Sequence, residues 1–173
     1  HVDGHLHLHL HPTVFDLLLP LAERYGASGL RVPRDAFLSS LPYGPPRMPT
    51  KLGWAIAFGW LGRRALRRIQ RRRRYRNDQG AKLVIADRVH GLMQSGHMTE
   101  AYVAHLLQHL HGPVVELYFH PSIAGDGPRL GPNPGDLATL CSPRIREIIR
   151  ERHLQLTTYP ALRAAAQKET RCK

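Results

Sequence analysis

The sequence predicts an α/β protein with a largely parallel sheet, and three observations carry that reading. Short apolar runs that read as strands alternate along the chain with segments of helical periodicity. Two of the strands, over residues 1–11 and 114–120, carry histidines on one face. The later one ends in His120-Pro121, and in barrels of parallel strands chemistry gathers at the C-terminal strand ends. A (β/α) barrel is therefore the expected architecture.

The first strand is His1-Val2-Asp3-Gly4-His5-Leu6-His7-Leu8-His9-Leu10-His11. A strand sends alternate side chains to opposite faces, which puts imidazoles and the Asp3 carboxylate on one face and hydrocarbon on the other. Neutral imidazole is the commonest protein metal ligand, and a neighbouring carboxylate can ligate, orient an imidazole or move protons. At a rise of about 3.3 Å per residue His1 and His9 lie roughly 26 Å apart, so one site takes one or two neighbours among Asp3, His5 and His7. The interleaved aliphatics argue against a purification tag. A water-facing amphipathic strand and a His-rich metal store without catalysis are the alternatives.

His11-Pro12-Thr13 then turns into a helix whose stripe is Val14, Leu17, Leu18, Leu21, Ala22 and Tyr25, with Pro20 inside and Gly26 as cap. Leu30 to Pro33 reads as a short strand and residues 39–50, rich in Pro, as a loop. A helix is expected from about Lys51 to Arg76. Val84 to Val89 reads as a strand that leads into the loop Gly91 to Met98, and the next helix carries Tyr102, Val103, Leu106, Leu107 and Leu110 on one face. The strand 114–120 places Glu116, Tyr118 and His120 on one face. Residues 121–136 read as a Gly- and Pro-rich loop. Ser142-Pro143 starts a helix to about Arg152 as N-cap and first helical residue. A strand at Leu154 to Thr158 and a short helix at 160–168 close the chain.

A length of 173 residues suits a single domain with a real core. The net charge is +12, but nine arginines and no acid fall within residues 63–76, and subtracting those nine leaves +3. The basicity is local. No run of eighteen apolar residues offers a membrane span, and no signal peptide is read at the front. Cys141 and Cys172 make no disulfide framework, which suits a cytoplasmic location. The opening on His1 without an initiator Met reads as a piece of something longer.

Three stretches together resemble the YdjC-like carbohydrate deacetylase family. His1-Val2-Asp3-Gly4-His5-Leu6-His7-Leu8-His9 is similar to that family's His-x-Asp-x-His-x-His-x-His strand, and Tyr118-Phe119-His120-Pro121 to its later strand ending in His-Pro. Leu140-Cys141-Ser142-Pro143 with Leu156-Thr157-Thr158-Tyr159 resembles its closing helix and strand. Ala86-Asp87-Arg88-Val89 through Gln94-Ser95-Gly96-His97-Met98-Thr99-Glu100-Ala101-Tyr102 looks like the hopanoid-biosynthesis-associated branch. The resemblance implies a TIM-barrel-like fold, removal of N-acetyl groups from amino sugars, and a divalent metal, commonly magnesium with zinc as the alternative, held by an Asp and two His. His5 matches the second metal His. The other two ligands and the general base belong to upstream motifs that this chain does not contain. The whole of 1–173 is thus expected to be a single YdjC-like domain lacking its N-terminal strands, with a basic amphipathic helical insertion at about 51–76.

Amide hydrolysis needs a polarised carbonyl, an activated water, a base for the water's proton and an acid for the leaving amine. His5 is the expected metal ligand. His120 is expected as the acid or the stabiliser of the tetrahedral oxyanion, and Asp3 as a catalytic or supporting carboxylate. His7 and His97 are expected at the substrate or behind the ligands. Trp54, Phe58, Trp60 and Leu61 run into Arg63, Arg64, Arg67 and Arg68, which reads as an interfacial helix for anionic lipid. The expected enzyme is a metal-dependent deacetylase of an N-acetylglucosaminyl hopanoid glycolipid, cytoplasmic or peripheral on the inner membrane, with homo-oligomerisation left open. The alternatives are a soluble deacetylase of N-acetylated oligosaccharides and a non-enzymatic Arg-rich module binding nucleic acid or membrane. No nucleic-acid reader motif accompanies the arginines, so nucleic acid is not the expected partner.

Overall fold

The computed structural model describes residues 1–35, 40–43, 48–76, 83–123 and 133–171. Its elements in order are α1 (Pro12–Arg24), α2 (Met48–Arg76), β1 (Arg88–His90), α3 (Glu100–Gln108), β2 (Val115–Leu117), α4 (Pro134–Cys141), α5 (Pro143–Glu151) and α6 (Tyr159–Arg171). They fall into two compact units. One comprises His1–Pro33, Ile56–Ala86 and Leu156–Lys173, and the other Arg34–Ala55 and Asp87–Gln155. The architecture is mixed α/β and mainly helical, and among the described residues the sheet is the parallel pair β1–β2. No helix among these residues is long and apolar enough to cross a membrane.

In the first unit, residues 1–11 depart from the expected strand. Val2 alone pairs as strand: its N–H donates to Gly29 O at 2.9 Å and its carbonyl accepts from Arg31 N at 3.0 Å. From His5 to Leu10 the chain closes 3-10 turns, with His7 N donating to Gly4 O at 2.8 Å and with Leu6 and His7 in the left-handed region at φ 51° and 56°. The reason is the absence of a ladder: beyond Val2 no described strand pairs with this segment, and backbone groups without a neighbouring strand close hydrogen bonds locally. The alternation holds only over residues 6–9, with the imidazoles turned inward. His7 and His9 are buried, while Leu6 and Leu8 are 60% and 63% exposed.

Helix α1 also turns a different face inward. Phe15, Leu19 and Ala22, at i, i+4 and i+7, are buried against Leu10, Leu30, Val32, Ala65, Ile69 and Leu83, whereas Val14, Leu17, Leu21 and Tyr25 of the expected stripe lie exposed. Apolar residues surround most of this helix, so periodicity alone leaves its rotation open. The partners that fix it are Arg64 and Arg68, which donate to Asp16 at 2.9 and 3.0 Å. Gly26, at φ 70°, ends the helix as predicted. Helix α2 starts three residues before its expected bound and inserts Ala65 and Ile69 into the same core, with Phe58, Leu61 and Leu66 packed at its edge. Residues 154–158 carry no strand pairing, contrary to expectation. Helix α6 follows, and Tyr159 lies so close to Gly29 that a Cβ there would stand 2.0 Å from its ring.

In the second unit β1 and β2 pair in parallel, with Arg88 opposite Val115, Val89 opposite Glu116 and His90 opposite Leu117. Asp87 closes the start of the pair: its N–H donates to Val114 O at 2.7 Å and its carboxylate accepts from Val114 N at 3.0 Å. Both strands are shorter than expected, and β1 begins four residues after Val84, which forms an isolated bridge with Gly29 in the first unit. The Thr99 hydroxyl caps α3 by accepting from Tyr102 N at 3.4 Å, and the predicted face of Tyr102, Val103, Leu106 and Leu107 is buried with Met98, Ile145 and Ile148. Ser142 caps α5 as its sequence predicts, accepting from Ile145 N at 3.3 Å. Helix α4 falls at the end of a segment expected to be loop. Parts of the loops expected at 39–50 and 121–136, and Cys172, lie outside the described residues.

Candidate active site

In the first unit the polar side chains of residues 1–11 are divided between solvent and core. The Asp3 carboxylate accepts from Arg31 Nη1 at 2.5 Å and His5 is exposed at the start of the 3-10 turns. His7 is buried edge-on to Phe58, with ring centroids 5.4 Å apart, and 5.9 Å from the His9 ring. His9 donates Nε2–H to Arg31 O at 2.8 Å. That bond leaves the ring's lone pair on Nδ1, which is buried and, among the described residues, has no hydrogen-bond partner. Gly4 admits this arrangement, because a Cβ there would press to 3.0 Å from that nitrogen. Burial holds the His9 pKa below its ordinary value, against the opposing pull of the Arg31 carbonyl and the Asp3 charge. His9 is thus a neutral imidazole with one nitrogen anchored and the other enclosed without a hydrogen-bond partner among the described residues.

In the second unit the C-terminal ends of β1 and β2 carry the polar groups. His90 ends β1, and its Nδ1 lies 2.9 Å from Asp35 Oδ1. Asp35 Oδ2 accepts the N–H groups of Gly91 and Met93 at 3.2 and 2.9 Å, so this carboxylate acts throughout as acceptor. Nδ1 of His90 therefore carries a hydrogen, and the tautomer that this selects has its lone pair on Nε2. A carboxylate that sets an imidazole's tautomer in this way is a general acid–base arrangement. Lys51 donates to the Met93 carbonyl, and burial holds its pKa below the usual lysine range while the Asp35 charge opposes the shift.

One buried carboxylate ties the end of the loop that carries His97 to the strand end that carries His120. Asp136, fully buried, accepts from Met98 N at 3.0 Å and from His120 N at 2.9 Å. Asn133 adds a second tie, donating Nδ2–H to His120 O at 3.1 Å, and its Oδ1 leaves no room for a side chain at Gly96. The backbone is thus held on both sides of an exposed His120 ring, which meets Tyr118 edge-on at 5.6 Å. His97 is exposed in the adjacent loop.

Sequence reasoning pointed to Asp3, His5, His7, His97 and His120 and passed over His9, Asp35, His90 and Asp136. His9 shares the alternation that marked its neighbours, and His90-Gly91 repeats the strand-end pattern of His120-Pro121. Asp35 lies between the expected strand at 30–33 and the loop at 39–50, Asp136 at the end of a segment read as loop, and no local signal marks either. Among the described residues no group of three or more His, Cys, Asp or Glu side chains converges as a metal site. His5 and His9 are single donors, not an assembled coordination shell.

A protein-family model described as YdjC-like protein matches residues 1–151, a span that includes every candidate residue named above. No curated protein and no solved structure matches the chain.

Proposed function

The chain belongs to the YdjC-like protein family, a family related to the carbohydrate deacetylases, and from that premise we propose that it removes the N-acetyl group from an amino-sugar headgroup. The substrate of this reading is an N-acetylglucosaminyl hopanoid, and the fold is a (β/α) barrel to which β1 and β2 contribute two parallel strands. The single observation that carries it is the family match, which spans the His-rich segment and the His120 strand end alike. The reaction adds water across an amide: the water oxygen bonds to the acetyl carbon, the C–N bond breaks, and acetate and a free amine leave.

Each residue has a task in this reading. His120, exposed on a backbone held by Asp136 and Asn133, gives a proton to the departing nitrogen. The His90–Asp35 pair, at the end of the neighbouring strand, is set to accept one. His97 contacts the sugar. Asp3 orients Arg31, and His7 supports the imidazoles beside it. A divalent metal, magnesium or zinc, supplies carbonyl polarisation when bound. His5, exposed in the first unit, is the donor that this chain would offer it, and the proton steps are assigned to the protein's own side chains.

The test is acetate release with magnesium or zinc added, from an N-acetylglucosaminyl hopanoid in mixed micelles and, in parallel, from N,N′-diacetylchitobiose. The expected result is turnover of the lipid-linked sugar that falls by about 10²–10⁴ in His120→Ala. Turnover of chitobiose alone would assign the activity to free oligosaccharides. No release from either substrate would overturn the deacetylase reading.

A further inference from the structure

Helix α2 has two faces from Ile56 onward, and only one of them is used by the fold. Ala65 and Ile69 enter the core, flanked by Phe58 and Leu61. The arginines beside that face are engaged within the unit: Arg64 and Arg68 donate to Asp16, Arg72 to Glu23 at 2.7 Å, and Arg73 to the Leu83 carbonyl at 2.7 Å. The opposite side reads Ile56, Trp60, Arg63, Arg67, Arg71 and Arg74, at spacings of three and four. At about 100° per residue these six lie within roughly 80° of one another, in a line about 27 Å long. All six are exposed, with Ile56 at 66% and Trp60 at 58%. Among the described residues no acid pairs with the four arginines, and residues 56–76 contain none.

The expected interfacial helix is thereby redrawn. Phe58 and Leu61 belong to the core, and Arg64 and Arg68 to an ion pair with Asp16. Like charges at i and i+4 repel, so a row of four bare guanidiniums costs helix stability unless anions meet it. A row of phosphates meets it well. The two apolar residues decide which phosphates: an exposed Ile and Trp in line with the arginines have no counterpart on a nucleic-acid backbone, whereas the boundary between lipid headgroups and acyl chains accepts both. We propose that the stripe Ile56, Trp60, Arg63, Arg67, Arg71 and Arg74 is a docking face for an anionic lipid surface, with α2 lying along the membrane. This proposal stands independently of the deacetylase reading.

The test is co-sedimentation of the intact chain with vesicles of phosphatidylcholine alone and of phosphatidylcholine with phosphatidylglycerol, at low and high salt. Association is expected only with the anionic vesicles and should weaken with salt. At about fivefold per arginine, R63Q/R67Q/R71Q/R74Q should lower partitioning on the order of several hundredfold. The same four positions changed to Lys should retain it, which separates lost charge from lost folding. Ile56→Ser with Trp60→Ser should weaken vesicle binding while leaving any binding to duplex DNA unchanged. Failure to sediment with anionic vesicles, or unchanged binding by the Gln variant, would overturn the proposal. So would vesicle binding indifferent to Ile56 and Trp60 and displaced by DNA, which would assign the stripe to nucleic acid.

Discussion

His9 is anchored through Nε2 to the Arg31 carbonyl while its Nδ1 sits buried, and desolvation lowers its pKa below the ordinary value of about 6.5. A histidine whose folded pKa lies below its unfolded one binds a proton more readily in the unfolded chain. Its penalty is therefore absent above the unfolded value and grows as pH falls from there towards the folded pKa. Urea unfolding should show stability falling below about pH 6.5, and His9→Gln, whose amide can still donate to Arg31 O, should flatten that fall relative to the parent. An unchanged pH profile would mean that His9 is as easily protonated folded as unfolded. Tyr102 offers a second residue-scale test. Its side chain is fully buried and its hydroxyl has no hydrogen-bond partner among the described residues, and burial raises its pKa. Tyr102→Phe should leave stability unchanged or raise it by about 1–2 kcal/mol, because it removes a desolvated donor without opening a cavity. A loss of stability in urea would show that the hydroxyl is satisfied.

Among the elements, the ends of β1 and β2 are defined by backbone geometry that few residues tolerate. Gly91 has φ 136°, and a Cβ there would stand 2.6 Å from the Tyr118 carbonyl oxygen. Gly91→Ala should cost about 3 kcal/mol and displace His90, whose neighbouring N–H groups bind Asp35. Thermal unfolding and the His90 imidazole resonances check both effects. The capped helices were the legible elements: Ser142-Pro143 opened α5 where expected, and α3 buried the face that its periodicity marks. Helix α1 was legible as a helix but not in its rotation. Its surface is apolar nearly all round, and the ion pairs of Asp16 with Arg64 and Arg68 come from residues almost fifty positions away.

At the scale of the whole molecule, the net charge of +12 is concentrated in α2, and eight of its arginines fall into two populations. Acids and carbonyls of the first unit hold Arg64, Arg68, Arg72 and Arg73, while Arg63, Arg67, Arg71 and Arg74 face outward beside Trp60. The vesicle partitioning and acetate-release outcomes are properties of the intact chain. Each of its two units has its own buried cluster, centred on Phe15 and Leu19 in one and on Tyr102 and Val103 in the other.

Read by itself, the sequence determined the family, the capped helices and the histidines at residues 5, 7 and 120 as places of interest, because those signals are local: a motif, a cap, a spacing. It also determined that the basic charge is concentrated in one helix. Tertiary structure alone decided that the His-rich segment coils into 3-10 turns after Val2, since a strand needs a neighbour and the alternating pattern cannot say whether one is present. It decided, too, that Asp35 orients His90 and that Asp136 ties the His97 loop to His120. Those carboxylates act across 55, 38 and 16 residues of chain. A hydrogen bond of that span depends on how the backbone is packed, and no spacing in the sequence encodes it.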